Sequence, residues 1–106
     1  MVRLLDPIGY LDFLLLLDNA QLVLTDSGGI QEETTFLGVP CLTLRENTER
    51  PITCEVGTNE LCGLDVERVV SRSQAVFTGN VKKAKVPDLW DGHTAERIVQ
   101  TLLQKQ

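Results

Sequence analysis

Apolar side chains come in short blocks along the chain, and the spacing within each block predicts what it forms. Tyr10, Leu11, Phe13, Leu14, Leu15, Leu16 and Leu17 lie between Gly9 and Asn19. They predict a helix that is apolar on nearly every face and therefore largely buried. Gln21 to Thr25 is an apolar run of strand length, ended by the dense turn signal Asp26-Ser27-Gly28-Gly29. Ile30 to Leu37 suits a helix, and Gly38-Val39-Pro40 stops it with a C-terminal Gly and a following Pro. Cys41 to Leu44 is the next strand, and Arg45 to Pro51 a polar loop. Ile52 to Val56 predicts one helical turn closed by Gly57, and Thr58 to Cys62 a weaker strand. Asp65 opens a helix to about Val76, while Thr78 to Leu89 has no period. His93 to Gln104 is amphipathic, with Ala95, Ile98, Val99, Leu102 and Leu103 on one side. At the front, Val2 to Leu5 reads as the end of a strand stopped by Asp6-Pro7.

Strands alternating with helices predict an α/β fold: a Rossmann-like parallel sheet of about four strands with helices on both faces and right-handed crossovers. No internal repeat or linker divides it, so residues 1–106 form one domain. The chain opens inside a strand, with no earlier βα unit. A doubly wound sheet of ordinary size has five or six strands, so this domain is expected to be incomplete on its amino-terminal side.

Composition narrows the functions. A chain of 106 residues, 42% hydrophobic and 24% charged, is an ordinary globular sequence. A net charge of −5 disfavours a general nucleic-acid role. The short basic cluster Lys82, Lys83 and Lys85 reads as a solvated loop or helix end. Three cysteines, Cys41, Cys54 and Cys62, are an odd number without CxxC spacing. That argues against a disulfide scaffold and a zinc ribbon, and predicts mostly buried, reduced thiols in a cytoplasmic protein. The run Phe13 to Leu17 is far short of a membrane span, and nothing resembles a secretory signal.

The chemistry concentrates where the second predicted strand gives way to a helix, at Thr25-Asp26-Ser27-Gly28-Gly29-Ile30-Gln31-Glu32-Glu33. Ligands of open α/β sheets bind at the carboxyl ends of strands. Gly28 and Gly29 permit close approach to the backbone, and the first-turn N–H groups favour an anion such as a diphosphate. Ser27 adds a hydroxyl. Glu33 lies one turn after Gly29 on the same face, where a carboxylate can take the two hydroxyls of a ribose; Glu32 is rotated away. On spacing alone a plainer reading has the edge: Asp26-Ser27 cap the helix and Glu33 is solvated. Arg45 or Arg50, in the following loop, can reach the same anion; the plain alternative is a surface loop with internal ion pairs. His93, at a helix start, reads as a capping or surface residue before a catalytic one. Trp90 and Phe77 read as core or interdomain packing.

The segment Asp26 to Pro51, DSGGIQEETTFLGVPCLTLRENTERP, closely resembles the non-hydrolysing UDP-N-acetylglucosamine 2-epimerase family. The shared elements are Asp-Ser-Gly-Gly-Ile-Gln-Glu-Glu, Leu-Gly-x-Pro, an Arg, and Thr-Glu-Arg-Pro. The likeness extends to Tyr10-Leu11-Asp12-Phe13, Gly57-Thr58 and Asp91-Gly92-His93-Thr94-Ala95-Glu96-Arg97-Ile98, and so covers essentially the whole chain. It implies the carboxy-terminal domain of a glycosyltransferase type B fold, an isomerase of polysaccharide biosynthesis, no cofactor, and UDP and UDP-N-acetylhexosamine as ligands. By resemblance Ser27, Gly28 and Gly29 contact the diphosphate and nucleotide, Glu33 the ribose, Phe13 the uracil, and Arg50 the phosphate side. Two departures bear on loop geometry. Ile52 stands where relatives usually have Glu, and Pro87-Asp88-Leu89-Trp90 replaces Asn-Pro-Tyr-Gly.

The family's proposed acid–base carboxylates and a key His belong to segments upstream of these residues. Within the chain only His93 and Glu49 offer acid–base chemistry, and no catalytic residue is assigned. The expectation is a UDP-binding part of an epimerase, inactive alone, completed by a homo-oligomer or by a missing amino-terminal half. A stand-alone nucleotide-sugar-binding module, or a related glycosyltransferase domain, is the alternative; Thr48-Glu49-Arg50-Pro51 favours the epimerase. A signalling receiver with Asp26 as phosphoacceptor lacks the acidic pair and Lys it needs.

Overall fold

The structure, a computed structural model, describes residues 1–105. Three parallel strands form its centre: β1 (Val23–Thr25), β2 (Cys41–Thr43) and β3 (Asn59–Leu61), in the order β1-β2-β3. Val23 pairs with Cys41 and Cys41 with Asn59, so the carboxyl ends align at Thr25, Thr43 and Leu61. All three residues of β2 are buried. Successive side chains of a strand point to opposite faces, so the sheet is covered on both. The predicted α/β, Rossmann-like parallel sheet is the observed fold.

The described residues form five helices: α1 (Tyr10–Asp18), α2 (Gly28–Leu37), α3 (Pro51–Glu55), α4 (Val66–Phe77) and α5 (Thr94–Gln104). Helix α2 packs across all three strands, α1 lies on α2, and α3 lies on β3. Local chemistry sets the helix ends. Gly38 closes α2 at φ 75°, a left-handed position suited to Gly. Pro51 opens α3 at a position whose N–H needs no partner. Asp65 caps α4 by accepting from the Arg68 N–H at 3.2 Å. Arg72 then ties α4 to β3 through both oxygens of Glu60, at 3.0 and 3.2 Å. No described helix is long and apolar enough to cross a membrane.

The structure corrects three expectations. Val2 to Leu5 is not a strand: no regular structure precedes Tyr10, and Leu4 is 96% exposed. A strand exists only through its ladder, and no described strand lies beside this segment. The sheet therefore has three strands, not four. The leucine-rich α1 is also not largely buried. Leu17 is buried and Phe13 and Leu14 half-buried, whereas Leu11 is 79% exposed. Among the described elements its packing partner is α2, along one side. Lys82 is not a solvated lysine. Its Nζ donates to the carbonyls of Cys54 and Asn59, both at 2.6 Å, clamping α3 to β3. Lys83 and Lys85 are exposed.

The interior is unusually polar. Gln31, Thr34, Thr35, Thr43, Thr53 and Asn59 are all at most 1% exposed. Buried polar groups demand partners: Thr34 and Thr35 find them on the backbone, and the other four in a network centred on Asn59. Asn59 Nδ2 donates to Gln31 Oε1 at 3.0 Å and to Thr53 Oγ1 at 3.1 Å, while the Thr43 hydroxyl donates to Asn59 Oδ1. The free thiols Cys41 and Cys62 are buried and Cys54 is half-buried. Burial pushes all three above the ordinary thiol value.

Candidate functional site

The candidate site is built where β1 passes into α2. Thr25 Oγ1 accepts from the Ser27 N–H at 3.0 Å and fixes the turn. Ser27 occupies the N-cap position in extended conformation, but its hydroxyl makes no capping bond. The plain capping reading therefore fails for Ser27, whose hydroxyl remains free at the helix mouth. The N–H groups of Gly28, Gly29 and Ile30 have no backbone partner among the described residues. Together they form a donor cluster at the positive end of α2, suited to an anion.

Arg50 is the residue that completes it. Its guanidinium lies so close to Gly28 that a Cβ there would stand 3.2 Å from Cζ, so Gly28 makes room for the arginine. Space beside Gly29 is open apart from the Ser27 hydroxyl, 4.0 Å from where a Cβ would be. Arg50 Nε donates to Glu32 Oε1 at 2.7 Å, and Nη1 approaches Glu49 Oε2 at 3.5 Å. The hydrogen bond and charge of Glu32 push the Arg50 pKa further up. Arg45 is exposed and pairs instead with Asn47 at 3.3 Å. Of the two candidate arginines, the structure brings Arg50 to the glycine turn.

The polar interior decides where Arg50 stands. Thr48 Oγ1 donates to Gln31 Oε1 at 2.6 Å and accepts from the Arg50 N–H at 2.9 Å. Thr53 Oγ1 donates to the Arg50 carbonyl at 2.7 Å. The backbone of Arg50 is thus gripped on both sides by groups that converge on Gln31 and Asn59. Such a shell fixes the geometry before any ligand arrives.

Glu33 lies further along α2. Tyr10, on α1, donates its hydroxyl to Glu33 Oε1 at 3.4 Å. The other oxygen, Oε2, is buried without a partner. The carboxylate also raises the Tyr10 pKa, chiefly by its charge, which keeps the phenol protonated. A cavity of about 380 Å³ lies between α1 and α2, with Tyr10, Leu14, Glu33, Phe36 and Trp90 among its walls. Phe13, half-buried on α1, is outside that lining. A second cavity of about 260 Å³, lined by Pro40, Thr58, Val76 and Lys82 among others, has none of the expected site residues in its wall.

His93 sits at the N-cap position of α5 without a side-chain cap bond, and its Nδ1 is 3.3 Å from Glu96 Oε1. Glu49 is exposed, and no hydrogen bond joins it to His93 among the described residues. Phe77 is 61% exposed, whereas Trp90 is half-buried against the α1–α2 cavity. Sequence reasoning missed Glu32, which holds Arg50, and the interior residues Gln31, Thr48, Thr53 and Asn59. No local signal marks the network, since its long bonds, Glu32–Arg50, Thr48–Gln31 and Asn59–Gln31, join residues distant in the chain.

A parallel sheet with a glycine turn, an uncapped helix mouth and a clamped arginine at its carboxyl edge defines a Rossmann-like α/β protein. Comparison with known proteins makes this specific: the sequence profile described as UDP-N-acetylglucosamine 2-epimerase matches residues 1–103. The chain belongs to that family, a family of isomerases. The UDP-N-acetylglucosamine 2-epimerase of Methanocaldococcus jannaschii is 46% identical over 101 residues, covering 95% of this chain and 27% of the relative. The Escherichia coli K12 enzyme of the same name is 41% identical over 106 residues, covering 95% and 28%. The crystal structure of the M. jannaschii epimerase in complex with UDP-GlcNAc and UDP superimposes with a TM-score of 0.80 at 47% identity. That match covers 94% of this chain and 27% of the other. The chain therefore spans little more than a quarter of the length of the relatives it matches.

Proposed function

We propose that this chain is the UDP-holding, carboxy-terminal part of a UDP-N-acetylglucosamine 2-epimerase, a single domain completed by further structure on its amino-terminal side. The juxtaposition of Arg50 with Gly28 at the mouth of α2, one turn before Glu33, carries the reading. The N–H groups of Gly28 and Gly29, the Ser27 hydroxyl and the Arg50 guanidinium hold the diphosphate. Glu33 takes the ribose hydroxyls and Phe13 flanks the uracil. The ligand of the M. jannaschii relative fits this assignment.

The proposed reaction interconverts UDP-N-acetylglucosamine and its manno epimer in the cytoplasm. UDP leaves as the C2 proton is removed, and both return with the proton on the opposite face. The role of these residues is to stabilise the departing diphosphate and keep it beside the intermediate. Proton transfer at C2 needs groups on both faces of the sugar. The two acid–base candidates, Glu49 and His93, are both exposed and not joined to each other among the described residues, so the segment alone binds without catalysing. Titration with UDP should shift the amide resonances of Ser27 to Ile30. Shifts confined to Lys82–Lys85 would defeat the assignment. Incubation with UDP-N-acetylglucosamine in deuterated water should leave C2 unlabelled; deuterium there would show that the segment carries its own acid–base pair.

A further inference from the structure

We propose that Tyr10 is a positioning residue for sugar recognition in the nucleotide, setting the carboxylate of Glu33 so that a ribose is preferred to a deoxyribose. This deepens the proposed function and rests on the nucleotide reading of the glycine turn. Three observations carry it. Tyr10 reaches across from α1 to α2, and its hydroxyl donates to Glu33 Oε1 at 3.4 Å, the one side-chain bond that Glu33 makes among the described residues. Glu33 Oε2 is buried and has no donor. Tyr10, Leu14 and Glu33 line the same cavity between the two helices, and Phe13 lies on α1 three residues after Tyr10.

A carboxylate on a helix surface has several rotamers, and loss of that freedom costs binding energy when a ligand must select one. The phenol bonds one oxygen of Glu33 and selects its orientation in advance. A phenolic oxygen both donates and accepts. While it donates to Glu33, its lone pairs remain open to accept from one ribose hydroxyl, and the carboxylate accepts from the other. Tyr10 is 62% exposed, so a ligand can reach it. The charge of Glu33 keeps the phenol protonated, as this arrangement requires. A 2′-deoxynucleotide lacks one of the two donors, so it gains less from a preset carboxylate.

The test is calorimetric titration of the full chain with UDP and with 2′-deoxy-UDP, for the wild type, Tyr10→Phe, Glu33→Gln and the double variant. The wild type should prefer UDP. Tyr10→Phe keeps the ring and its packing, and should weaken UDP about fivefold, the scale of one modest hydrogen bond, with 2′-deoxy-UDP nearly unchanged. In the Glu33→Gln background the tyrosine substitution should add little, since the partner it positions is altered. Equal loss for both nucleotides, or additive losses in the double variant, would overturn the role of Tyr10 and leave the nucleotide site standing. A wild-type chain indifferent to UDP would overturn both.

Discussion

Two regions of this molecule invert the usual arrangement. Beneath the carboxyl edge of the sheet, the best-buried side chains include Gln31, Thr43, Thr53 and Asn59, all polar, the first three each bonded to Asn59. On α5, the apolar residues Ile98, Val99, Leu102 and Leu103 are each more than half exposed. Burial by polarity alone would place them the other way round. The polar interior is tolerated because each group has a partner, and its yield is geometrical: it fixes the backbone of Arg50. The apolar exterior is unsatisfied in this chain and offers area for association.

Breaking the interior should have the largest effect. Asn59→Ala strips partners from Gln31, Thr43 and Thr53 together. We expect a loss of about 3 kcal/mol, the scale of several orphaned buried polar groups, measured by urea denaturation. A loss below about 1 kcal/mol would mean that water replaces the side chain and that the network is not cooperative. Gly57→Ala should come next. Its Cβ would lie 2.3 Å from Thr35 Oγ1 and 2.8 Å from the Thr53 carbonyl, and overpacking of that kind costs about 2 kcal/mol.

Smaller effects sharpen the contrast from the other side. Raising pH should destabilise the fold through its thiols. Burial raises the thiol pKa of Cys41 in the folded state, so this contribution is complete below the unfolded value of 9.0 and fades as pH rises through the folded value. Denaturation midpoints should therefore fall on the alkaline side of pH 9, and Cys41→Ala should remove part of that slope. Leu102→Ser with Leu103→Ser should change stability least, by less than about 0.5 kcal/mol, because neither side chain is buried. Sedimentation velocity at high concentration should show weaker self-association than the wild type. A large stability loss there would place α5 inside the fold and remove the distinction between the two regions.

These regions also mark what the sequence could tell. The glycine turn, the end of α2 at Gly38 and the cap at Asp65 were legible because each is local chemistry within four or five residues. Helix α5 was legible from its period. The interior was not, since Thr and Asn read as surface or turn residues until their partners are known; Gln31 and Asn59 are 28 residues apart. The same limit hides the Glu32–Arg50 pair and the Tyr10–Glu33 bond, whose partners lie 18 and 23 residues apart. For Val2 to Leu5 and for α1 the error ran in the opposite direction. Apolar content predicts burial only where a neighbour exists, and among the described elements α1 packs on α2 along one side while Val2 to Leu5 pairs with no strand.

The clamp made by Lys82 gives the stretch after α4 a root. Thr78 to His93 contains no helix or strand, yet Lys82 Nζ grips two carbonyls, and the Lys85 N–H donates to the Val56 carbonyl at 3.0 Å. One long connection is thereby divided into two short ones. The entropic gain is slight, on the order of 0.6 kcal/mol for each halving of a loop; the positional gain is larger. The span that follows carries Trp90, which walls the cavity beside Glu33. The Lys82 amine, with the Lys85 N–H beside it, therefore anchors to α3 and β3 the base of the segment whose Trp90 walls the cavity next to Glu33. Acylation of that amine would remove both carbonyl contacts and leave the Lys85 N–H as the remaining tether of the segment, at a distance from the cavity wall in sequence.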